Sequence, residues 1–144
     1  MMKSIIERLG IQTSHETELI NITETVRDLV ANSGVTSGTA LVLTLHTTTA
    51  ITVNEGLADL EDDIIAALER LVPAEHTYRH ARFLHSDGQM AVNAPSHIRG
   101  ALLGMQVMFP IENGCMIMGA RQTIYLVELD GPSFRNVVVQ IIGA

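Results

Sequence analysis

Three histidines set far apart in the chain, His46, His80 and His97, are the side chains best placed to do chemistry. Neutral imidazole is the commonest metal ligand, and catalytic zinc sites take three protein ligands while leaving one position for water or substrate. His46 opens the run His46-Thr47-Thr48-Thr49-Ala50, so three hydroxyls follow an imidazole directly. If the three rings converge, they suit zinc, nickel or copper better than magnesium, which prefers oxygen. Bound water would then be acidified toward neutrality and could attack as a nucleophile. Thr47, Thr48 and Thr49 would donate to a phosphate or carbonyl oxygen, with Arg135 or Arg99 supplying positive charge. Taken singly, each histidine reads more simply as a hydrogen-bonded structural or surface group, and the threonines as strand and turn formers. His15, in a polar stretch, reads as surface.

Carboxylates follow at once. Asn54 is a cap candidate for a helix running to about Val72, with Leu57, Leu60, Ile64, Leu68 and Leu71 recurring at helical spacing. Glu55, Asp59 and Asp62 fall at i, i+4 and i+7 on the other side. One reading is a solvated acidic face favoured by the dipole at the helix start. The sharper one bends Glu55 and Asp59 back toward His46 as general acid and base.

The elements that must position these groups read as follows. Lys3 to Thr13 forms a strand with Ile5, Leu9 and Ile11 turned inward. Leu19 to Glu24 is a helix entry, Asn21 and Glu24 resembling a capping box, with Ile22, Val26, Leu29 and Val30 as the apolar stripe and Gly34 as the left-handed cap. Thr39 to Leu45 is a buried strand that delivers His46. Pro73 to Pro95 is an irregular loop holding His76, His80 and His85; such loops are more often functional than idle. Ser96 caps a short helix closed by Gly104, with His97 in its first turn. Met105–Ile111, Cys115–Met118, Gln122–Leu129 and Arg135–Ile142 are strands, the first two joined at Asn113-Gly114, a strong hairpin signal. This order is α+β, a largely antiparallel sheet or sandwich with helices packed on it.

Composition sets the outer bounds. A chain of 144 residues with 47% apolar content fits a single domain over residues 1–144. Its net charge of −7, with Lys3 the only lysine and no basic run, disfavours nucleic acid and anionic membrane as partners. Cys115 is alone, which fits a reducing cytoplasm, and in the run Cys115-Met116-Ile117-Met118 it reads as a small buried hydrophobe. The charged start lacks the apolar block of a signal peptide, and no stretch approaches the roughly 18 apolar residues of a membrane span. No P-loop, dinucleotide glycine fingerprint, nucleophile elbow or Cys-x-x-Cys pair occurs.

An ordered set of motifs carries a resemblance over nearly the whole length. His46-Thr47-Thr48-Thr49-Ala50 with Asn54-Glu55, then Asp59 and Asp62, Tyr78-Arg79-His80, Pro95-Ser96-His97, Gly119-Ala120-Arg121-Gln122, and Glu128-Leu129-Asp130-Gly131-Pro132 with Arg135 resemble the YjbQ-like family. Members of that family are often labelled secondary thiamine-phosphate synthase. The resemblance implies a YjbQ-like α+β fold, a homotrimer with clefts near subunit boundaries, and a pocket sometimes occupied by metal. His46, His80 and His97 correspond to the metal-binding positions, zinc foremost. Glu55, Asp59, Gln122 and Glu128 lie nearby, Glu128 joining His46, Glu55 and Asp59 as catalytic candidates and Gln122 joining Arg135 and the threonines as substrate contacts. The implied reaction joins a pyrimidine diphosphate to a thiazole phosphate, a small phosphorylated metabolite. Metal-dependent hydrolysis of a small metabolite and a non-catalytic binding trimer stand as alternatives. Arg121 and Ser133 depart from the family pattern of tryptophan and arginine.

Overall fold

The computed structural model describes residues 1–80, 82–84 and 89–144. Along the chain lie β1 (Lys3–Gln12), β2 (Glu18–Asn21), α1 (Thr23–Ser33), β3 (Ser37–Thr44), β4 (Thr49–Glu55), α2 (Ala58–Leu71), β5 (Arg82–Leu84), β6 (Gln89–Ala91), α3 (Ala94–Leu103), β7 (Gln106–Glu112), β8 (Cys115–Met116), β9 (Gln122–Glu128) and β10 (Phe134–Gly143). Two antiparallel sheets carry the fold: β1-β10-β3-β7-β8 and β2-β9-β4. A small hairpin pairs β5 with β6.

The core follows from strand alternation. Ala40 and Val42 from β3, Val137, Val139 and Ile141 from β10, and Ile124 and Leu126 from β9 face one another between the two sheets, with Val26 and Val30 of α1 closing one side. The intervening residues of β9, Tyr125 and Val127, enter a second cluster with Leu68, under α2 and beside Leu103 of α3. Thus β9 is buried on both faces, as a near-continuous apolar run should be. The Tyr125 hydroxyl donates to Glu61 Oε2 at 2.6 Å, and burial, with that bond and the Glu61 charge, pushes its pKa up to about 12.

Several local expectations change. The segment 18–21 is a strand and not a helix entry; α1 starts after Ile22, and Asn21 Oδ1 instead accepts from the Thr23 N–H at 3.0 Å. The acidic helix begins at Ala58, because Thr49 to Glu55 pairs with β9 as β4, where the β-branched run Ile-Thr-Val is better served. Glu55 is therefore a strand residue, and the Glu55-Asp59-Asp62 helical face does not form. Part of the 73–95 loop is the β5–β6 hairpin, and α3 starts at Ala94, behind Asn93. Cys115 is exposed at the start of β8, so the buried-hydrophobe reading is corrected: only two residues pair there and the Asn113-Gly114 turn lifts Cys115 into solvent. That turn has positive φ at both residues, 52° and 80°, as a tight hairpin demands.

At the far end of the large sheet, β3 and β10 approach so closely that a Cβ on Gly38 would run into the backbone carbonyl of Ile142. Gly38→Ala is expected to lower stability by about 1–3 kcal/mol through forced strand separation. Urea denaturation would measure it, and an unchanged midpoint would refute the close-packing account.

Candidate functional site

The loop 45–48 crosses from the large sheet to the small one, and it is pinned from several sides. Thr44 and Thr49, the residues on either side of it, share a hydroxyl–hydroxyl bond of 2.6 Å, and Thr49 Oγ1 also donates to the His46 carbonyl at 3.1 Å. Asn136 of β10 grips the loop with both backbone groups: its carbonyl accepts from the Leu45 N–H at 3.2 Å and its N–H donates to His46 Nε2 at 2.9 Å. Thr48 turns inward, where its hydroxyl accepts from Arg135 Nη2 at 3.1 Å, while its carbonyl accepts from the Leu129 N–H at 3.2 Å. Thr47 alone of the three threonines is exposed.

Under this loop lies a buried ion pair. Glu128, fully buried, receives Arg135 Nε at 2.8 Å and Nη2 at 2.6 Å in a bidentate pairing, with the Thr13 hydroxyl at 2.7 Å and the N–H groups of Leu129 and Asp130 at 3.0 and 3.2 Å. Burial alone would raise the Glu128 pKa, but the bonds from Arg135, Thr13 and Asp130, with the Arg135 charge, outweigh it and hold the carboxyl below its ordinary value. The carboxylate is saturated. The structure thus places Glu128 and Arg135 in contact with each other, with Thr13 and with Thr48; neither lines the clefts described next.

Helix α3 brings His97 to the loop. Ser96 Oγ donates to the Leu129 carbonyl at 2.6 Å, and Asn93 Nδ2 donates to Asp130 Oδ2 at 3.1 Å. Gly100 sits against the Thr47 and Thr49 carbonyls, where a Cβ would stand 3.2 Å from each, so the missing side chain permits the close approach. Arg99, on another face of the same helix, donates through Nε and Nη2 to the Val72 carbonyl at the end of α2. It clamps one helix to another and turns away from His97, which corrects its reading as a charge for the histidine site.

A cleft of about 460 Å³ results, lined by Leu43, Leu45, His46, Thr47, His97 and Met105 among others. Its walls are largely apolar, with two imidazoles and hydroxyls as polar points, the composition of a small-molecule site. A second cleft of about 340 Å³ adjoins it through His97 and is lined also by Tyr78, Arg79 and His80. The His80 and His97 rings meet edge to face, centroids 5.0 Å apart. His46 and His97 are therefore joined by one cleft, and His97 and His80 by direct contact. His76 packs against Tyr78 instead, and His85 lies outside the described residues.

Metal fit is partial. The His80 and His97 centroids stand at the roughly 5 Å that two imidazoles on one tetrahedral zinc would show, but the rings meet edge to face, so one of them must turn before both present a nitrogen to the same ion. His46 does not join them, since its Nε2 is occupied by the Asn136 amide. Among the described residues no three His, Cys, Asp or Glu side chains gather as a ligand set.

The remaining candidates lie elsewhere. Glu55 ends β4, six residues from Thr49, a separation of about 20 Å in an extended strand. It faces Arg121 at 3.6 Å and shares a surface hollow with Gln122. Asp59 is exposed in the first turn of α2. Within one chain, then, Glu55 and Asp59 do not bend back to His46, and the reason is that β4 carries the chain away from the histidine before α2 begins. Ser133 uses its backbone, donating its N–H to Thr13 Oγ1 at 2.8 Å. Gly100 and Asn136 were not singled out from sequence. Gly100 carries the only usable hint, a glycine inside a helical pattern; Asn136 acts through its backbone and leaves none.

Two curled antiparallel sheets with three packed helices and a histidine-walled cleft at one sheet crossing define a YjbQ-like α+β protein. A family model described as UPF0047 protein YjbQ-like matches residues 7–144, and the chain belongs to that family. A UPF0047 protein of Methanothermobacter thermautotrophicus is 37% identical over 142 residues, 99% of this chain and 94% of that one. YugU of Bacillus subtilis is 32% identical, covering 96% and 100%. A YbjQ-like protein crystal structure from Sulfolobus solfataricus superimposes with a TM-score of 0.90 at 33% identity, covering both chains fully.

Proposed function

We propose that the protein is a metal-assisted enzyme of the thiamine-phosphate synthase type, working at the two clefts that share His97. The observation that carries this reading is the position of one imidazole, His97, as common wall between an apolar cleft bearing His46 and a smaller one bearing Arg79 and His80. The apolar cleft suits a heteroaromatic ring. The smaller one offers a guanidinium and an imidazole to an anionic head, as a departing diphosphate requires. His80 and His97 are the pair that would hold a divalent metal, zinc foremost, and when bound it would supply positive charge to the leaving oxygens. His97, as the wall common to both clefts, would place that charge beside the bond from the pyrimidine to its departing diphosphate. Leu45, Leu102 and Met105 are exposed at or near the cleft, which supports assembly as a homotrimer whose partner surface closes the site. The lone cysteine supports a cytoplasmic setting.

A purified sample incubated with the pyrimidine diphosphate, the thiazole phosphate and zinc is expected to form thiamine phosphate. Prior stripping with a chelator should suppress the product, and His80→Ala should raise the zinc concentration needed to restore it. Synthesis that persists in His46→Ala, His80→Ala and His97→Ala alike removes this site from consideration.

One observation favours a second reading, a binding trimer without turnover: among the described residues no lysine or arginine lines the larger cleft, and Arg79 is the one guanidinium lining the smaller. That reading predicts saturable calorimetric binding of the thiazole phosphate with no product under any metal.

A further inference from the structure

We propose that His46 serves its cleft as a hydrogen-bond donor through Nδ1, holding an oxygen acceptor of the bound molecule (carbonyl, carboxylate or phosphoryl), and is neither a metal ligand nor a base. The proposal deepens the reading just given and rests on it only for the identity of the bound molecule.

A backbone amide can only donate. Because the Asn136 N–H points at His46 Nε2 at 2.9 Å, that nitrogen must present its lone pair, and a neutral imidazole with an accepting Nε2 carries its proton on Nδ1. Nδ1 has no hydrogen-bond partner among the described residues. Nor is any buried side-chain nitrogen or oxygen left unpaired among them, so Nδ1 remains open to the cleft or its solvent. The ring is not free to turn. Asn136 also accepts from the Leu45 N–H, and the His46 carbonyl is held by Thr49, so releasing Nε2 would detach the ring from a loop fixed on both sides.

These constraints exclude the other roles. Metal binding through Nε2 would require breaking the hydrogen bond from the Asn136 N–H, and binding through Nδ1 would require removing the proton that the tautomer places there. A general base needs a free lone pair, and the only one is taken. What is left is an N–H aimed from a rigid loop, the arrangement that stabilises charge on a substrate oxygen without reorganising. Thr47, an exposed residue lining the same cleft, is its natural companion, whereas the Thr48 and Thr49 hydroxyls are already engaged.

Long-range proton–nitrogen NMR of 15N-labelled protein at neutral pH, assigned with His46→Gln, tests this without any turnover. The expected pattern is a protonated, pyrrole-like Nδ1 and a pyridine-like Nε2, both unmoved by zinc that shifts His80 and His97. A protonated Nε2, or His46 nitrogens that move to metal-bound positions with zinc, overturns the proposal. On titration with the thiazole phosphate, the His46 Nδ1 proton should shift along with His97. A response at His97 with none at His46 refutes the donor role. Silence at both refutes the assignment of that ligand to the cleft, while the tautomer measured beforehand decides the His46 state independently.

Discussion

Arg135→Met should lower the melting temperature by about 10 °C, the largest stability effect of any single substitution considered. The change keeps an unbranched apolar stem and removes the guanidinium, so Glu128 stays fully buried with no ionic partner among the described residues. Breaking a buried pair from one side costs about 3–5 kcal/mol, because the remaining charge is uncompensated. At roughly 2–4 °C per kcal/mol for a chain of this size, calorimetry would see the loss readily. Adding Glu128→Gln to Arg135→Met should restore much of the stability, since the orphaned charge disappears. A melting temperature within about 2 °C of wild type for the single variant would show that the pair is energetically idle.

The same pair gives a pH signature. The Glu128 pKa lies below its ordinary value in the folded protein, so the native state binds that proton less tightly than the unfolded chain. Its contribution is present above the unfolded carboxylate pKa of about 4.3 and disappears as pH falls through the folded value. In Arg135→Met the lowering charge is gone and burial dominates, raising the pKa. The contribution of this residue then reverses sign, and stability falls as pH rises through the unfolded value. Denaturation midpoints across the acid range, wild type against variant, would display the opposite slopes. The link matters for the site because Arg135 also holds Thr48, hence the loop that carries His46.

His97→Ala is expected to reduce turnover in the thiamine-phosphate assay by about 10²–10³, the range for losing one preorganised group that stabilises departing charge. Stability should hardly change, because the side chain is partly exposed and Ser96 and Asn93, not His97, anchor α3. The separation of these two readouts is the useful part. Lost turnover with an unchanged melting temperature assigns His97 to the chemistry, whereas equal losses in both would mark it as structural. Unchanged turnover would move the reaction away from the shared wall of the two clefts.

Much of the architecture was legible in the residues. The alternating runs of β1, β7 and β10, the continuous apolar run of β9, the Asn113-Gly114 hairpin and the Gly34 cap all follow from local stereochemistry, where each residue's preference agrees with its final place. Asn54 and Glu55 read as the start of a helix because an acidic, helix-forming segment follows them closely. Pairing with β9 decided them as strand, and that contact lies some seventy residues away in sequence. For the same reason Cys115 read as core. Its apolar neighbours suggested burial, but burial depends on which partner strand continues past it, and β8 stops after two residues.

By itself the sequence determined the α+β class, the family and the identity of the histidines worth watching, since these depend on residue type and order along the chain. Which of them lie together was decided only by the tertiary structure. His97 reaches the His46 loop because Gly100 lets a helix lie on the carbonyls of Thr47 and Thr49, and His46 is committed to one tautomer by the backbone of Asn136. Glu55 is carried away by a strand. Contacts of this kind pass through main-chain atoms and absent side chains, which every residue possesses or lacks in the same way, and so no pattern of side-chain types along a chain can announce them.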